Sequence, residues 1–244
     1  MAAVEAGMQT RLPFSLTLAG AACAYFVSLM ASTGVAAQAP QAARFDLEVR
    51  EDFFAGFTGN PERLARGMAR AEAALAAAPA HAEAMVWHGG GLLFLAGQAF
   101  QSGDTATGME RFGRGLGEMN KAVELAPDRV GVRIPRGATL FEATRFMPAA
   151  QAEPLLRLAV TDFERALELQ APVFDSLGGH ARGELLFGLA DGYARLGDGE
   201  KARQYFDRMT REGGPSPRRE YATAWLSGKA PAAVPACGPC HSGK

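Results

Sequence analysis

The chain has 244 residues, of which 48% are hydrophobic and 21% charged, and its formal net charge is −1. This length and composition suit one packed domain or one array of repeats, and they exclude wholesale disorder. Because acidic and basic residues are intermixed and nearly balanced, the sequence predicts neither a nucleic-acid-binding surface nor a basic membrane-binding patch.

Residues 1–37 have the order of an export signal. Arg11 precedes the apolar run LPFSLTLAGAACAYFVSLM, and small residues follow it. This order is typical of a signal peptide, and Val35-Ala36-Ala37 predicts cleavage after residue 37. The alternative is an uncleaved membrane anchor, since the run from Leu12 to Met30 is just long enough to span a bilayer. We therefore expect a periplasmic or secreted protein of a Gram-negative bacterium, held at a membrane only if that anchor is retained.

The predicted signal contains Cys23, so the mature chain keeps only Cys237 and Cys240. An exported protein with one closely spaced cysteine pair lacks the multiple bridges of a disulfide scaffold. The pair is therefore a local chemical device.

From about residue 43 to 226 the sequence predicts helices. Alanine, leucine, arginine and glutamate dominate, apolar residues recur at spacings of three and four, and no strand-like alternation is present. Short segments with glycine, proline or aspartate separate the helices, such as TGNPE, LAPDRVG and LGDGE. Such short connections imply that neighbouring helices run antiparallel.

The stretch from residue 183 to 209, GELLFGLADGYARLGDGEKARQYFDRM, resembles a tetratricopeptide repeat. Two helices cross closely in such a repeat, so the crossing needs a small residue with large residues on either side. Leu196-Gly197-Asp198 fits the turn between the two helices. The matching helix positions are Leu186, Leu189, Ala190 and Tyr193 in the first helix, and Ala202 and Phe206 in the second.

Three weaker copies of the second helix lie upstream. These copies occupy 62–79, 115–127 and 159–172, and 82–97 and 132–147 are the partner first helices of the later two. The spacing departs from the usual period of 34 residues. The extra residues lie near 98–110 and 147–157.

The resemblance implies an all-α, TPR-like array of helical hairpins, an α-solenoid, over residues 43–226. The short segment RREYATAWL is expected to cap the array. The groove of such an array would bind a protein or peptide. A plain helical bundle is the alternative architecture.

Residues 227–244 are predicted to form a short extended tail. The proline-containing tether SGKAPAAVPA precedes Cys237, Cys240 and His241, which match the pattern CxxCH. Two thiols at this spacing can bind the two vinyl groups of one porphyrin, and the adjacent histidine then becomes the proximal iron ligand. We predict one covalent haem c, attached through Cys237 and Cys240, with His241 on the iron.

Three other uses of the cysteine pair remain open. They are a local Cys237–Cys240 disulfide, a zinc site that includes His241 but lacks a fourth ligand, and a dithiol that exchanges with partners. A thioredoxin-like role is excluded because no strand precedes Cys237 and no α/β sheet follows Cys240.

The chain also resembles exported bacterial repeat proteins that close on a CxxCH tail. The resemblance implies the helical architecture and the haem. We expect electron transfer or redox partnering, with the helical array as the docking surface for an unidentified redox partner. The alternative is a periplasmic scaffold that binds a protein or peptide and carries a disulfide. No catalytic triad, zinc-protease or phosphate-binding motif is present, so an enzyme is the least favoured interpretation.

The segment MVWHGGGLLF, residues 85–94, is unusual for a helix because each of its three consecutive glycines costs about 1 kcal/mol relative to alanine. One interpretation is that haem lies against this bare backbone, with His88 or Met85 as distal ligand and Trp87 as a stacking face. The alternative is that Gly89 is the small residue at a helix crossing and that His88 is part of the core.

Other polar residues are weaker candidates for a functional site. Arg133 and Arg136 could pair with haem propionates, or instead with Glu142 or another carboxylate of this chain. We expect Pro135 to interrupt their helix. His180 is predicted at a helix start and His81 in a loop.

Overall fold

The computed structural model describes residues 44–229, and these residues form nine α-helices and no strand. The predicted signal segment, the tether beyond Lys229 and the CxxCH motif lie outside the described residues. The helices are α1 (Asp46–Phe57), α2 (Pro61–Ala77), α3 (Ala82–Gln101), α4 (Thr105–Leu125), α5 (Val130–Ala143), α6 (Ala149–Gln170), α7 (Gly179–Arg195), α8 (Gly199–Glu212) and α9 (Pro217–Leu226). Two short 3₁₀ helices, Thr144–Phe146 and Ala171–Ser176, flank α6.

The helices pack as consecutive hairpins, which confirms the predicted all-α helical-hairpin array. Helices α1 and α2, α3 and α4, α5 and α6, and α7 and α8 form the four pairs. Each first helix also contacts the first helix of the next hairpin, so α1, α3, α5, α7 and α9 lie side by side. We call this surface the first-helix face. The predicted cap α9 packs on α7 and α8.

Three of the four hairpins in the described residues turn through the same local structure. Gly59, Gly103 and Gly197 adopt positive φ angles of 109°, 84° and 84°, which glycine reaches without a Cβ clash. The next residue caps the following helix. The capping bonds run from the backbone N–H groups of Arg63, Thr107 and Lys201 to Asn60, Asp104 and Asp198, at 3.0, 3.1 and 3.0 Å.

The α5–α6 connection is built differently. It continues α5 as the 3₁₀ helix Thr144–Phe146 and then passes through Met147 and Pro148, with no positive-φ glycine. Pro148 is extended, with ψ of 141°, and precedes the first turn of α6. This longer connection leaves space at one end of the third hairpin.

The residues predicted at the helix crossings are buried, as expected. Leu186, Leu189 and Ala190 are fully buried in α7, and Ala202 and Phe206 are fully buried in α8. The same small-then-large order recurs in α4 with Gly115 and Met119, and in α6 with Ala159 and Phe163, all of them buried. The repeat pattern therefore reflects the packing of successive second helices.

Several boundaries differ from the sequence expectations. The extra residues near 98–110 lengthen α3 and α4, and those near 147–157 form the α5–α6 connection and the start of α6. Helix α1 is the first helix of the hairpin that α2 completes, a pairing that the sequence pattern did not predict. Pro135 lies inside α5 and does not interrupt it. The expected interruption does not occur, since a proline removes only one backbone N–H and the neighbouring hydrogen bonds still hold the helix.

Candidate functional site

A cavity of about 520 Å³ lies at the end of the third hairpin, beside the end of α7. Its wall combines three segments: the α5–α6 connection, the first turns of α6 and the last residues of α7. The polar lining residues are Thr144, Arg145, Glu153 and Arg195, and the larger apolar ones are Met147, Leu156 and Leu196. The volume falls within the roughly 300–1,000 Å³ of typical cofactor and small-molecule pockets.

The cavity exists because of the α5–α6 connection described above. A glycine turn like that at Gly197 would bring the two helices together within three residues, whereas here five residues separate Ala143 from Ala149. The side chains at the start of α6 are also small, with Ala149 and Ala152 on the wall. The missing turn and the small side chains together leave the space open.

The two arginines of the cavity differ in how their charges are balanced. Arg145 donates to Asp191 at 2.8 Å and to Glu142 at 3.1 Å. Arg195 instead donates to the hydroxyl of Thr144 at 2.8 Å and to the carbonyl oxygen of Phe141 at 3.2 Å, both of which are uncharged. Within residues 44–229 no carboxylate lies at ion-pair distance from Arg195.

The positive charge of Arg195 is therefore only partly compensated. Burial lowers the pKa of its guanidinium, and the nearby charge of Arg145 lowers it further. An anionic group that entered the cavity would relieve this repulsion and could accept hydrogen bonds from a guanidinium.

The rest of the wall combines the carboxylate of Glu153 with apolar side chains. Leu156, Leu196 and the thioether of Met147 line it. Phe146, between Arg145 and Met147 in sequence, is 86% exposed, more than any other large apolar side chain of the described residues.

A second cavity, of about 610 Å³, lies between the first and second hairpins. Its polar lining includes Glu72, Gln98 and Arg111, so opposite charges share one wall. It lies among α1 to α4, at the other end of the hairpin order from α9. The cavity at the end of the third hairpin likewise carries both signs of charge, with Glu153 opposing Arg145 and Arg195.

The structure places His88 in the interior of α3, with 1% of its side chain exposed. Its Nδ1 lies 2.5 Å from Glu118 of α4, and its Nε2 lies 3.4 Å from Glu72 of α2. An imidazole donates from both nitrogens only when it is doubly protonated. The assignment of His88 as a distal haem ligand stays a prediction, and iron would have to displace a carboxylate from one of these nitrogens.

The neighbours of His88 also have structural partners. Gly89 faces Gly115 across α3 and α4, and a Cβ on Gly89 would lie 2.7 Å from the Gly115 carbonyl oxygen. This close approach confirms the helix-crossing interpretation of Gly89. Trp87 packs on Phe53, with ring centroids 5.2 Å apart, and its stacking face is therefore used within the core.

We predict that Glu118→Gln lowers the free energy of unfolding by about 2 kcal/mol at neutral pH, because a charge-assisted hydrogen bond to His88 is weakened. Burial raises the pKa of the Glu118 carboxyl, but the hydrogen bond and charge of His88 and the contact with Arg114 outweigh it and hold that pKa below its usual value. A depressed folded-state pKa stabilises the protein above the unfolded-state pKa, and this contribution is lost as pH falls through the folded value.

Urea unfolding of both proteins over a pH series would measure this effect. The difference between wild type and Glu118→Gln is expected to shrink on acidification. Glu124→Gln is the matched control, because Glu124 is an exposed residue of the same helix that pairs with Lys121 at 3.0 Å. Equal losses of unfolding free energy for Glu118→Gln and Glu124→Gln at neutral pH would contradict the stabilising role of the hydrogen bond between His88 and Glu118.

Arg133 and Arg136 are held within the array. Arg133 donates to Asp162 of α6 at 2.7 Å, and Arg136 contacts the same carboxylate at 2.6 and 2.8 Å. Asp162 is fully buried. The two arginines thus pair with a carboxylate of this chain, as the second interpretation expected, and that carboxylate belongs to Asp162. Glu142 pairs instead with Arg145 and Arg218.

The other two histidines among the described residues lie at helix starts. The Nδ1 atom of His81 accepts from the backbone N–H of Ala84 at 3.1 Å and so caps α3, which is a more specific position than the predicted loop. His180 is an exposed residue of the first turn of α7, as expected. Across residues 44–229 no group of His, Cys, Asp and Glu is arranged to hold a metal ion. None of the helices in that range is both long and apolar enough to cross a bilayer.

Cys237, Cys240 and His241 lie outside the described residues, so their predicted roles stay predictions. Sequence reasoning missed Arg145, Met147 and Arg195 as site residues. One available signal was the segment TRFMP at residues 144–148, where the other hairpins carry glycine followed by Asn or Asp. The partner of Arg195 could not be inferred from spacing alone.

Comparison with known proteins adds little to these observations. No protein-family model matches the chain, and no curated protein matches it. Among solved structures, the chain is similar to the N-terminal domain of stress-induced protein-1 (STI-1) from C. elegans, with 17% sequence identity and a TM-score of 0.36. That similarity covers 59% of this chain and 97% of the worm domain. The fold assignment above rests on the helix pairing alone.

Proposed function

We propose that the protein is an exported helical-hairpin scaffold that carries one covalent haem c and transfers electrons with a protein partner docked on the array. Cys237 and Cys240 would hold the haem, and His241 would be the proximal iron ligand. The observation that carries the proposal is the CxxCH motif, placed after a predicted export signal and a capped helical array. The cysteine and histidine donors have the chemistry that a c-type haem requires.

The two parts of the chain have separate tasks in this proposal. The haem supplies a one-electron redox centre, whose chemistry belongs to the cofactor. The hairpins provide the docking surface, because the first helices lie side by side. The third hairpin is held together by the buried ion pairs between Asp162 of α6 and Arg133 and Arg136 of α5. A protein or peptide partner would bind this first-helix face.

A scaffold without haem is the second candidate, with Cys237 and Cys240 joined as a local disulfide. It is favoured by the completeness of the array, since the four hairpins and α9 form a closed core within the described residues. Such a protein would bind its partner in the same way and would be colourless.

Production of the full chain in a bacterium with a periplasmic haem-attachment system tests the proposal. We expect the purified protein to retain haem through a denaturing gel, because only a covalent bond survives unfolding. A Cys237→Ala/Cys240→Ala variant serves as the control and is expected to lose all haem at unchanged yield of folded protein. Haem-free wild-type protein in a host that matures another c-type cytochrome would contradict the proposal.

A further inference from the structure

We propose that the cavity at the end of the third hairpin binds a small zwitterion with an apolar body, namely an apolar amino acid or dipeptide. In this site Arg195 binds the carboxylate of the ligand, Glu153 binds its ammonium group, and the apolar wall contacts its side chain. The site does not depend on haem attachment, because every group that it uses belongs to the described residues.

Arg195 has donors left for a carboxylate. Its two hydrogen bonds within residues 44–229 go to the hydroxyl of Thr144 at 2.8 Å and to the carbonyl oxygen of Phe141 at 3.2 Å. A guanidinium carries more N–H groups than these two contacts use. The centre of the guanidinium also lies 5.5 Å from the centroid of the Phe141 ring. These contacts hold the cation in place at the cavity before a ligand binds, and its remaining planar donors suit carboxylate oxygens.

Glu153 has a carboxylate oxygen left for an ammonium group. Both hydrogen bonds that it accepts from Arg157 go to Oε1, at 3.1 and 2.7 Å, and Oε2 has no partner within the part of the chain that the structure describes. The side chain of Glu153 is 57% exposed, so a ligand can reach Oε2 without displacing Arg157. An ammonium group has donors only, and its hydrogen bond to a carboxylate is charge-assisted.

The balance of charge in the cavity favours a ligand that carries both signs. Arg145 is already paired with Asp191 at 2.8 Å and with Glu142 at 3.1 Å, so Arg195 is the cation that needs a counter-charge. A ligand with a carboxylate alone would leave Glu153 without a cation of its own, and a ligand with an amine alone would face both arginines. A zwitterion satisfies Arg195 and Glu153 together.

The apolar side chains of the cavity give the ligand its second property. Met147, Leu156 and Leu196 line the space, while Ala149 and Ala152 leave it open. A ligand side chain of the size of leucine would bury apolar surface against them, which is favourable. The volume of about 520 Å³ is in the range of small-molecule pockets.

Isothermal titration calorimetry on the full chain tests the site with L-leucine and L-leucyl-L-leucine as probes. We expect binding at one site per chain with a Kd below about 1 mM, and the tighter probe distinguishes the amino acid from the dipeptide. N-acetyl-leucine lacks the ammonium group and leucinamide lacks the carboxylate. Each is expected to bind about tenfold more weakly than leucine, because one charged hydrogen-bonding group is lost.

Two substitutions test the residues that bind the charges. Arg195→Gln and Glu153→Gln are each expected to weaken leucine binding about tenfold, with unchanged circular dichroism. Arg195→Gln should leave the affinity for leucinamide unchanged, since that probe has no carboxylate. A purely structural role of Arg195 would instead weaken both probes equally and would overturn its assignment as the carboxylate ligand.

Matched controls are available for both substitutions. Arg111 lines the second cavity, where it donates to the carbonyl oxygen of Leu95 at 3.4 Å, so Arg111→Gln removes an arginine from the other cavity. Glu168 is an exposed residue of α6 that pairs with Arg165 at 2.7 Å, so Glu168→Gln removes a comparable surface acid. Both control variants are expected to bind leucine as wild type does.

Three results would overturn the proposal. The first is that folded wild-type protein binds neither leucine nor leucyl-leucine. The second is that N-acetyl-leucine binds as tightly as leucine, which would show that the ammonium group is not recognised. The third is that Arg111→Gln abolishes binding while Arg195→Gln does not, which would place the site in the second cavity. None of these results bears on the covalent haem, which the denaturing gel measures separately.

Discussion

Asp162→Asn is expected to lower the free energy of unfolding by about 3–5 kcal/mol, the typical effect of breaking a buried ion pair by removing one partner. Asp162 has no exposed surface, and it accepts hydrogen bonds from Arg133 and Arg136, whose side chains are 13% and 7% exposed. The asparagine keeps the shape of the side chain but leaves two buried guanidinium groups without a counter-charge. Urea denaturation followed by circular dichroism would measure the change.

Asp128→Asn is the matched control for this substitution. Asp128 accepts hydrogen bonds from Arg165 at 2.9 and 2.7 Å, but its side chain is 64% exposed. Exposed pairs contribute about 0–1 kcal/mol, so the control is expected to unfold almost as wild type does. Similar losses of unfolding free energy for Asp162→Asn and Asp128→Asn would contradict the prediction that the buried ion pairs stabilise the fold more than the exposed one.

Gly89→Ala is expected to destabilise the protein by about 1–3 kcal/mol, although alanine favours helices over glycine. The new Cβ would lie 2.7 Å from the carbonyl oxygen of Gly115 and 2.9 Å from Cγ of Met119. Because the first of these atoms belongs to the backbone of α4, the two helices have to move apart. Thermal or chemical unfolding of the variant would report this loss.

Gly97→Ala, a substitution in the same helix, is expected to have the opposite effect on stability. No atom lies within 4 Å of a Cβ built at Gly97, so the substitution is expected to stabilise the protein by up to about 1 kcal/mol through helix propensity. Stabilisation by both Gly89→Ala and Gly97→Ala would contradict the close approach of α3 and α4 at Gly89.

The helical hairpins could be predicted from the sequence because their signals are local. Three of the four turns combine a glycine with an Asn or Asp cap, and each signal lies within a few residues. The small and large positions of α7 and α8 also follow from helical spacing, since residues four apart share one face. The burial of Ala190 and Phe206 follows directly from this periodicity.

The polar pairings could not be predicted in the same way. Arg133 and Arg136 are 29 and 26 residues from Asp162, and Arg145 is 46 residues from Asp191. Many carboxylates are compatible with each arginine at the level of sequence, and only the packing of the hairpins selects one. The pairing of His88 with Glu118, over 30 residues, depends likewise on how α3 lies on α4.

The cavity illustrates a third case, in which the signal is a departure from the pattern. The α5–α6 connection lacks the glycine turn, and its residues Arg145 and Met147 line the cavity together with Arg195 from α7. The deviation in spacing near 147–157 was visible in the sequence, but its consequence depends on a neighbouring hairpin. A space between two hairpins is a property of packing and has no local signature.

Covalent haem attachment can be tested through the mass of the tryptic peptide 230–244, which contains both cysteines, from protein matured in the periplasm. We expect a peptide heavier by one haem, with both thiols consumed in its attachment. A peptide without added mass and lighter by two hydrogens, which is the signature of a Cys237–Cys240 disulfide, would contradict the proposed haem attachment.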